Sequence, residues 1–293
     1  MARDFFSSLP SSRRVFEAAS DSLGFDVASL CFNDDPRLDS TEFTQPALLT
    51  AEYAMYRGLV DELGFQADLF AGHSVGEYTA LVAAEVLPLA VAVQLLRLRG
   101  RLMQRAAPAG SVLVVRGAGV LASITSERAQ EWGVDLACKN SPAQVVLSGP
   151  PAEIERAGER VRALFPERAV ELVRINVSAA FHSRLMHPVE PGLRAALFGI
   201  ADGLAPERAH SVASNFTGDF HVRDGLAIIE ALVNQVSATV LWTENMDRIQ
   251  KSGARVYEIG PGRTLSGLFA SAGQQAVSLS TLASARRQLG HAA

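Results

Sequence analysis

Apolar and polar positions follow two rhythms along this chain, and the switch between them divides it. From Arg13 to Gly24, the residues Val15, Phe16, Ala19 and Leu23 recur at the spacing of one helical face, and the pattern stops at a glycine. The same rhythm returns from Pro46 to Leu63 through Ala47, Leu48, Ala51, Tyr53, Ala54, Leu59 and Leu63, and ends at Gly64. Asp68 to His73 is a short apolar run that predicts a strand, and the Ala- and Leu-rich stretch from Glu77 to Leu87 predicts a helix after it. Leu89 to Ala106 predicts a further helix. Its Arg97, Arg99, Arg101 and Arg105 gather toward the C-terminal half, where cations suit the helix dipole.

Pro108 to Gly110 breaks this texture. From Ser111 the chain carries short β-rich runs (SVLVVRG, QVVLSG, ELVRINV), with helical stretches beginning near Ser123 and Pro151. The resulting β-α-β-β-α-β order predicts a small ferredoxin-like α+β subdomain at 110–178, inserted into a larger α/β domain of 1–109 and 179–293. Beyond it, the pattern predicts a helix over Pro188 to Leu197, a strand over Ala209 to Asn215, a helix over Gly225 to Gln235, and a strand over Arg255 to Ile259. That last strand stops at Gly260-Pro261-Gly262.

Composition narrows the function classes. A chain of 293 residues with 48% hydrophobic and 20% charged residues can bury a sizeable core. A formal charge of −4, without any run of like charges, offers no surface for phosphate backbones, so nucleic acid is not an expected partner. No stretch reaches the ~20 apolar residues of a membrane span and the N-terminus is not a secretory signal, so the expectation is a cytoplasmic protein with no membrane partner. Cys31 and Cys138, the two cysteines, have neither metal-ligand nor disulfide-scaffold spacing and read as buried thiols.

The strongest chemical signal is Gly72-x-Ser74-x-Gly76, set between an apolar run and a helical one. In that context a sharp strand-to-helix turn lifts a serine hydroxyl clear of the sheet, and the flanking glycines relieve the crowding. The Val75 amide, at the helix start, would then face a developing oxyanion. A serine also caps helices without doing any chemistry, so the turn alone does not establish catalysis. A serine nucleophile needs a base, and six histidines are available. His73 points away along the strand, His187 precedes a proline, and His210, His221 and His291 lie in polar contexts without a pattern. His182 follows a β run where the chain re-enters the large domain, and the residues alone do not settle the choice.

Gly72-His73-Ser74-Val75-Gly76-Glu77-Tyr78 resembles the GHSxGEY signature of the malonyl-CoA:acyl carrier protein transacylases and of polyketide synthase acyltransferase domains. Thr44–Leu48, Arg99–Met103, Asn140–Gly149, Ala180–Ser183 and Tyr257–Gly262 match further motifs in the same order, so the resemblance spans nearly the whole chain. It implies a hydrolase-like α/β core with parallel strands, and a ping-pong transfer of a malonyl group from malonyl-CoA to the phosphopantetheine thiol of an acyl carrier protein or carrier domain. It implies no metal and no prosthetic group, the coenzyme A thioester being a substrate, and a monomer is the expected state.

Residue by residue, the resemblance makes Ser74 the nucleophile and His182 the base. Gln235 supplies a main-chain carbonyl that orients the histidine, so that its side chain is expected to matter little. Arg99 matches the residue that grips the malonyl carboxylate, a task suited to a planar guanidinium. Phe181 matches the bulky residue that excludes an α-methyl branch. Gln45, Asn140 and Asn215 match pocket-side positions, although an Asn in a loop is more often a turn former.

The chain departs from the family in one respect. Family members begin with an apolar strand ending in GQGSQ, whose first glutamine gives the second oxyanion amide, and neither is present. Met1 to Phe6 resembles the helix that follows that loop, so Met1 is expected to correspond to an internal residue of a longer chain. Loss of one oxyanion donor costs ~100- to 1,000-fold in turnover, and low activity or stability is therefore expected. Two other readings are an acyl-carrier-protein hydrolase using the same pair, against which Arg99 argues, and an inactive relative that only binds carrier protein.

Overall fold

The computed structural model describes residues 1–106, 110–176 and 179–290. The expected break at Pro108, the subdomain's end at 177–178, and His291 lie outside them.

The chain is mixed α/β. Pro10–Leu23 buries Val15, Phe16, Ala19 and Leu23 along one face and ends on Gly24, whose φ of 73° allows its amide to reach Ser20. The long helix Thr41–Leu63 starts earlier than the sequence pattern suggests, with Pro46 inside its second turn. Leu89–Ala106 packs along it. The two helices approach closely at Gly100, where a Cβ would stand 2.2 Å from the Thr41 carbonyl oxygen. Only glycine permits that distance, and it brings Gln45 and Arg99 face to face.

The small sheet has four antiparallel strands: β1 (Ser111–Arg116), β2 (Asp135–Ser141), β3 (Gln144–Gly149) and β4 (Glu171–Asn176), in the order β2-β3-β1-β4. One face, with Leu113, Val115, Leu136, Val145 and Leu147, packs on Ile154, Ala157 and Val161 of the helix Pro151–Leu164. The other face, with Val112, Val114, Cys138 and Val146, packs on Trp242, Met246 and Phe269. Burial on both faces explains why β1 reads as a continuous apolar run rather than an alternating one. Both cysteines are free and buried, and burial pushes the thiols up to about 11 for Cys31 and about 12 for Cys138.

Regular strands are short elsewhere. β5 (Val256–Glu258) and β6 (Ala276–Ser278) form a parallel pair. The strand expected over Asp68 to His73 is a single parallel bridge from Phe70 to Val212, and the one expected over Ala209 to Asn215 is a 3-10 turn (Pro206–Ser211) leading into that bridge. A cavity of about 600 Å³ lies between Leu69–Ala71 and Val256–Ile259, lined also by Glu52 and Thr79. It touches the turn at Gly72, His73 and Gly76 but not Ser74, His182 or Arg99. The sequence pattern did not yield the helices Trp242–Lys251 and Leu282–Leu289. In the former, the buried polar Asn245 interrupts an apolar face made by Trp242, Met246 and Ile249. Among the described residues no helix is long and apolar enough to cross a membrane.

Candidate active site

Ser74 sits at the turn into the helix Val75–Ala83 with φ 54° and ψ −107°, a backbone conformation that costs roughly 1 to 3 kcal/mol and persists only where the surroundings enforce it. Gly72 makes the turn feasible, since a Cβ there would lie 2.0 Å from the carbonyl carbon and oxygen of Gly76. The Val75 amide opens the helix and is one of the first-turn donors that a helix leaves without an intrahelical partner.

His182 comes from a segment 108 residues away, and its Nε2 lies 2.7 Å from Ser74 Oγ. Its Nδ1 lies 2.8 Å from the main-chain oxygen of Gln235, at the end of the helix Gly225–Gln235. Donation from Nδ1 to that carbonyl leaves Nε2 as an acceptor, the tautomer a base requires. Burial, assisted by the positive charge of Arg99 and by His73, pulls the imidazole down to about 3, while the bond to Gln235 opposes this. The ring is therefore neutral at ordinary pH and able to take the serine proton.

Arg99 is 1% exposed and makes no ion pair among the described residues. Its Nη1 donates to Gln45 Oε1 at 2.8 Å and its Nη2 to Gln235 Oε1 at 2.9 Å, while Nε has no partner. The guanidinium carbon stands 5.5 Å from the centre of the Tyr78 ring. Its neighbours on the helix behave differently. Arg97 and Arg101 both pair with Glu42, and Arg105 is exposed. Glu77 acts on Arg99 only from across the Gln235 amide; a buried cation without a directly paired anion is costly, and a ligand carboxylate would relieve that cost.

The other residues singled out from sequence take distinct places. Gln45 is buried and also directs Nε2 toward Met103 Sδ at 3.6 Å. Phe181 is half-buried against the main apolar cluster, beside His182 in the chain. Asn140 reaches out of β2 to His73 Nε2 at 2.8 Å, joining the small sheet to the serine turn. Burial lowers the pKa of His73. Asn215 is fully buried: its Oδ1 accepts from the Ser74 amide at 2.6 Å, and its Nδ2 donates to the Gly72 carbonyl and to Asn245. Those bonds engage both ends of its side chain in bracing the turn.

Three features escaped sequence reasoning. The Gln235 side chain is fully engaged, with Nε2 on the Ser74 carbonyl at 2.9 Å and on Glu77 Oε2 at 2.7 Å, besides the bond from Arg99. Glu77 is wholly buried, and His221, set aside for its polar context, reaches Glu77 Oε1 from 144 residues away at 2.8 Å. No local signal marks that pairing. Among the described residues, no group of three or more His, Cys, Asp or Glu is arranged to hold a metal ion.

Residues 4–266 match the family model described as acyl transferase domain. The malonyl CoA-acyl carrier protein transacylase of Escherichia coli K12 is 36% identical over 274 residues, covering 92% of this chain and 86% of that one. The crystal structure of the malonyl-CoA:acyl carrier protein transacylase from Xanthomonas oryzae superposes with a TM-score of 0.88 at 35% identity, covering 99% of this chain and 93% of the other. A malonyl-transacylase solved in complex with a type II polyketide synthase acyl-carrier protein gives 0.87 at 33% identity, with 99% and 94% covered.

Proposed function

The chain belongs to the acyl transferase domain family, and we propose that it carries a malonyl group from malonyl-CoA to the phosphopantetheine thiol of an acyl carrier protein through an ester on Ser74. The observation that carries the reading is Arg99, a buried cation in direct ion pair with no carboxylate and tied through Gln235 to the His182 that contacts Ser74.

In the first half-reaction the malonyl carboxylate pairs with Arg99, which sets the thioester carbonyl near Ser74. Ser74 Oγ bonds to the carbonyl carbon as its proton passes to His182 Nε2, and the Val75 amide faces the oxyanion. The C–S bond breaks, and the coenzyme A thiolate takes the proton from Nε2. In the second half-reaction the carrier thiol gives its proton to Nε2 and attacks the ester. Ser74 Oγ leaves and recovers that proton. Every proton is accounted for by His182, so the reaction as proposed needs neither metal nor prosthetic group.

The strand order β2-β3-β1-β4, with a helix in each of the β1–β2 and β3–β4 connections, supports reading 110–178 as a ferredoxin-like subdomain inserted in a hydrolase-like core of 1–109 and 179–293. With thioester substrates dissolved in the cell interior, the proposed location is cytoplasmic.

Steady-state kinetics with malonyl-CoA and a holo carrier protein test this reading. Parallel double-reciprocal lines and malonylated carrier are expected. Coenzyme A release at the same rate with and without carrier, accompanied by free malonate, would indicate the hydrolase instead.

A further inference from the structure

The reaction described above makes no use of Glu77, yet this carboxylate is wholly buried where both halves of the reactive pair are held. Its Oε2 accepts from the Asn215 main-chain amide at 3.0 Å and from Gln235 Nε2 at 2.7 Å. Asn215 in turn takes the Ser74 amide on its Oδ1 at 2.6 Å. Gln235 takes His182 Nδ1 on its main-chain oxygen at 2.8 Å and donates its Nε2 to the Ser74 carbonyl at 2.9 Å. One carboxylate oxygen thus anchors the residue behind the nucleophile and the residue behind the base. The other oxygen, Oε1, is held by His221 Nε2 at 2.8 Å.

We infer that Glu77 is a positioning residue: its Oε2 fixes Ser74 and His182 relative to one another through Asn215 and Gln235, and His221 secures the carboxylate from the far side. The need follows from the backbone. Ser74 and His182 both have a φ of 54°, so neither holds its place by local preference. Without an acceptor at Oε2, two buried donors lose a partner, and the cost is relieved by moving the segments that carry them. A displacement of about 1 Å between reacting groups is enough to lose roughly 100-fold in rate. The role is that of an acceptor rather than of a charge. A glutamine at 77 keeps an oxygen toward Asn215 and Gln235 and turns its amide group toward His221, which accepts in its other tautomer.

The inference rests on Ser74 and His182 being the reactive pair, so the test reads that pair directly. A fluorophosphonate phosphonylates Ser74 Oγ with loss of fluoride and needs no malonyl recognition. Labelling rates are to be measured by intact-protein mass spectrometry, alongside thermal midpoints. Glu77→Met, which keeps the length but removes the acceptor, is expected to label roughly tenfold or more slowly with a thermal midpoint within a few degrees of wild type. Glu77→Gln is expected to stay within about threefold of wild type. Gln235→Met keeps the main-chain carbonyl while cutting the tie to Glu77, and should label about tenfold more slowly. It decides the matter if Glu77→Met does not fold. Wild-type rates in Glu77→Met or in Gln235→Met, or a Glu77→Gln variant as slow as Glu77→Met, would overturn the inference. A wild-type protein that is phosphonylated but never malonylated would overturn the proposed function and leave this inference standing. One that reacts with neither reagent removes both.

Discussion

Arg99 Nη2 lies 2.9 Å from the side-chain oxygen of Gln235, so a buried guanidinium is held by an amide where a carboxylate would ordinarily balance it. Glu77 acts on it only from across that amide, and the direct ion pair is the one the substrate carboxylate would make. Arg99→Ala should therefore lower kcat/KM for malonyl-CoA by roughly 100-fold, the worth of a buried charge-assisted pair. The ratio of acetyl-CoA to malonyl-CoA acylation should rise by a similar factor, because an uncharged acyl group no longer faces an unpaired cation. Single-turnover acylation with the two thioesters checks both.

The protonation state of His182 sets the pH response. The base works when neutral, and its pKa lies at about 3, below the ordinary value, chiefly through burial. Ser74 acylation should hence stay nearly constant from pH 8 down to pH 5, with no loss centred near the ordinary histidine value of about 6.5. Burst-phase release of coenzyme A across that range gives the profile. A fall through pH 6.5 would show that the ring is protonated far more readily than its surroundings imply.

Phe181 is half-buried next to His182 in the chain, and the resemblance to the family implies that its ring excludes a branched acyl group. Phe181→Ser is expected to raise methylmalonyl-CoA use relative to malonyl-CoA. A single apolar contact is worth ~1 to 3 kcal/mol, so the ratio should move by roughly 10- to 100-fold. Competition between the two thioesters, read from adduct masses, measures it.

Glu52 lines the cavity beside β5, and burial pushes its carboxyl up to about 7, while a bond from Thr79 at 2.7 Å opposes this. Its pKa is higher folded than unfolded, so between about 4.5 and 7 the folded protein binds more protons and stability falls as pH rises. Glu52→Gln removes that slope. Urea unfolding should find the variant more stable than wild type at pH 8, by ~1 to 3 kcal/mol, and little different at pH 4.5.

What the sequence disclosed was the local part of the design. The turn at Ser74 is legible because Gly72 lies two residues before it and the steric conflict it avoids, with the main chain of Gly76, is intrinsic to the turn. The helix Pro10–Leu23 follows from periodicity, and β1, β3 and β4 from β-rich runs of which the first two are buried on both faces, whereas β2 is implied only by the β-α-β-β-α-β order. The strands expected over Asp68 to His73 and Ala209 to Asn215 shrink to one bridge between Phe70 and Val212, because an apolar run states burial and leaves pairing open. The support of the site was hidden as well. Glu77 and His221 are 144 residues apart, and Gln235 reaches Ser74 across 161, so no window of sequence contains either contact. Even the resemblance, which singles out the Gln235 carbonyl, leads to the expectation that the side chain matters little, whereas it touches Arg99, Glu77 and Ser74 at once.

Malonyl transfer through Ser74 is tested most directly by the mass of the intact protein after brief incubation with malonyl-CoA, beside a Ser74→Ala control. The account predicts one malonyl adduct on the wild type, none on the control, and loss of that adduct as added holo carrier protein gains the same mass. An unmodified wild type under conditions where the protein remains folded, or an adduct that persists in Ser74→Ala, would contradict it.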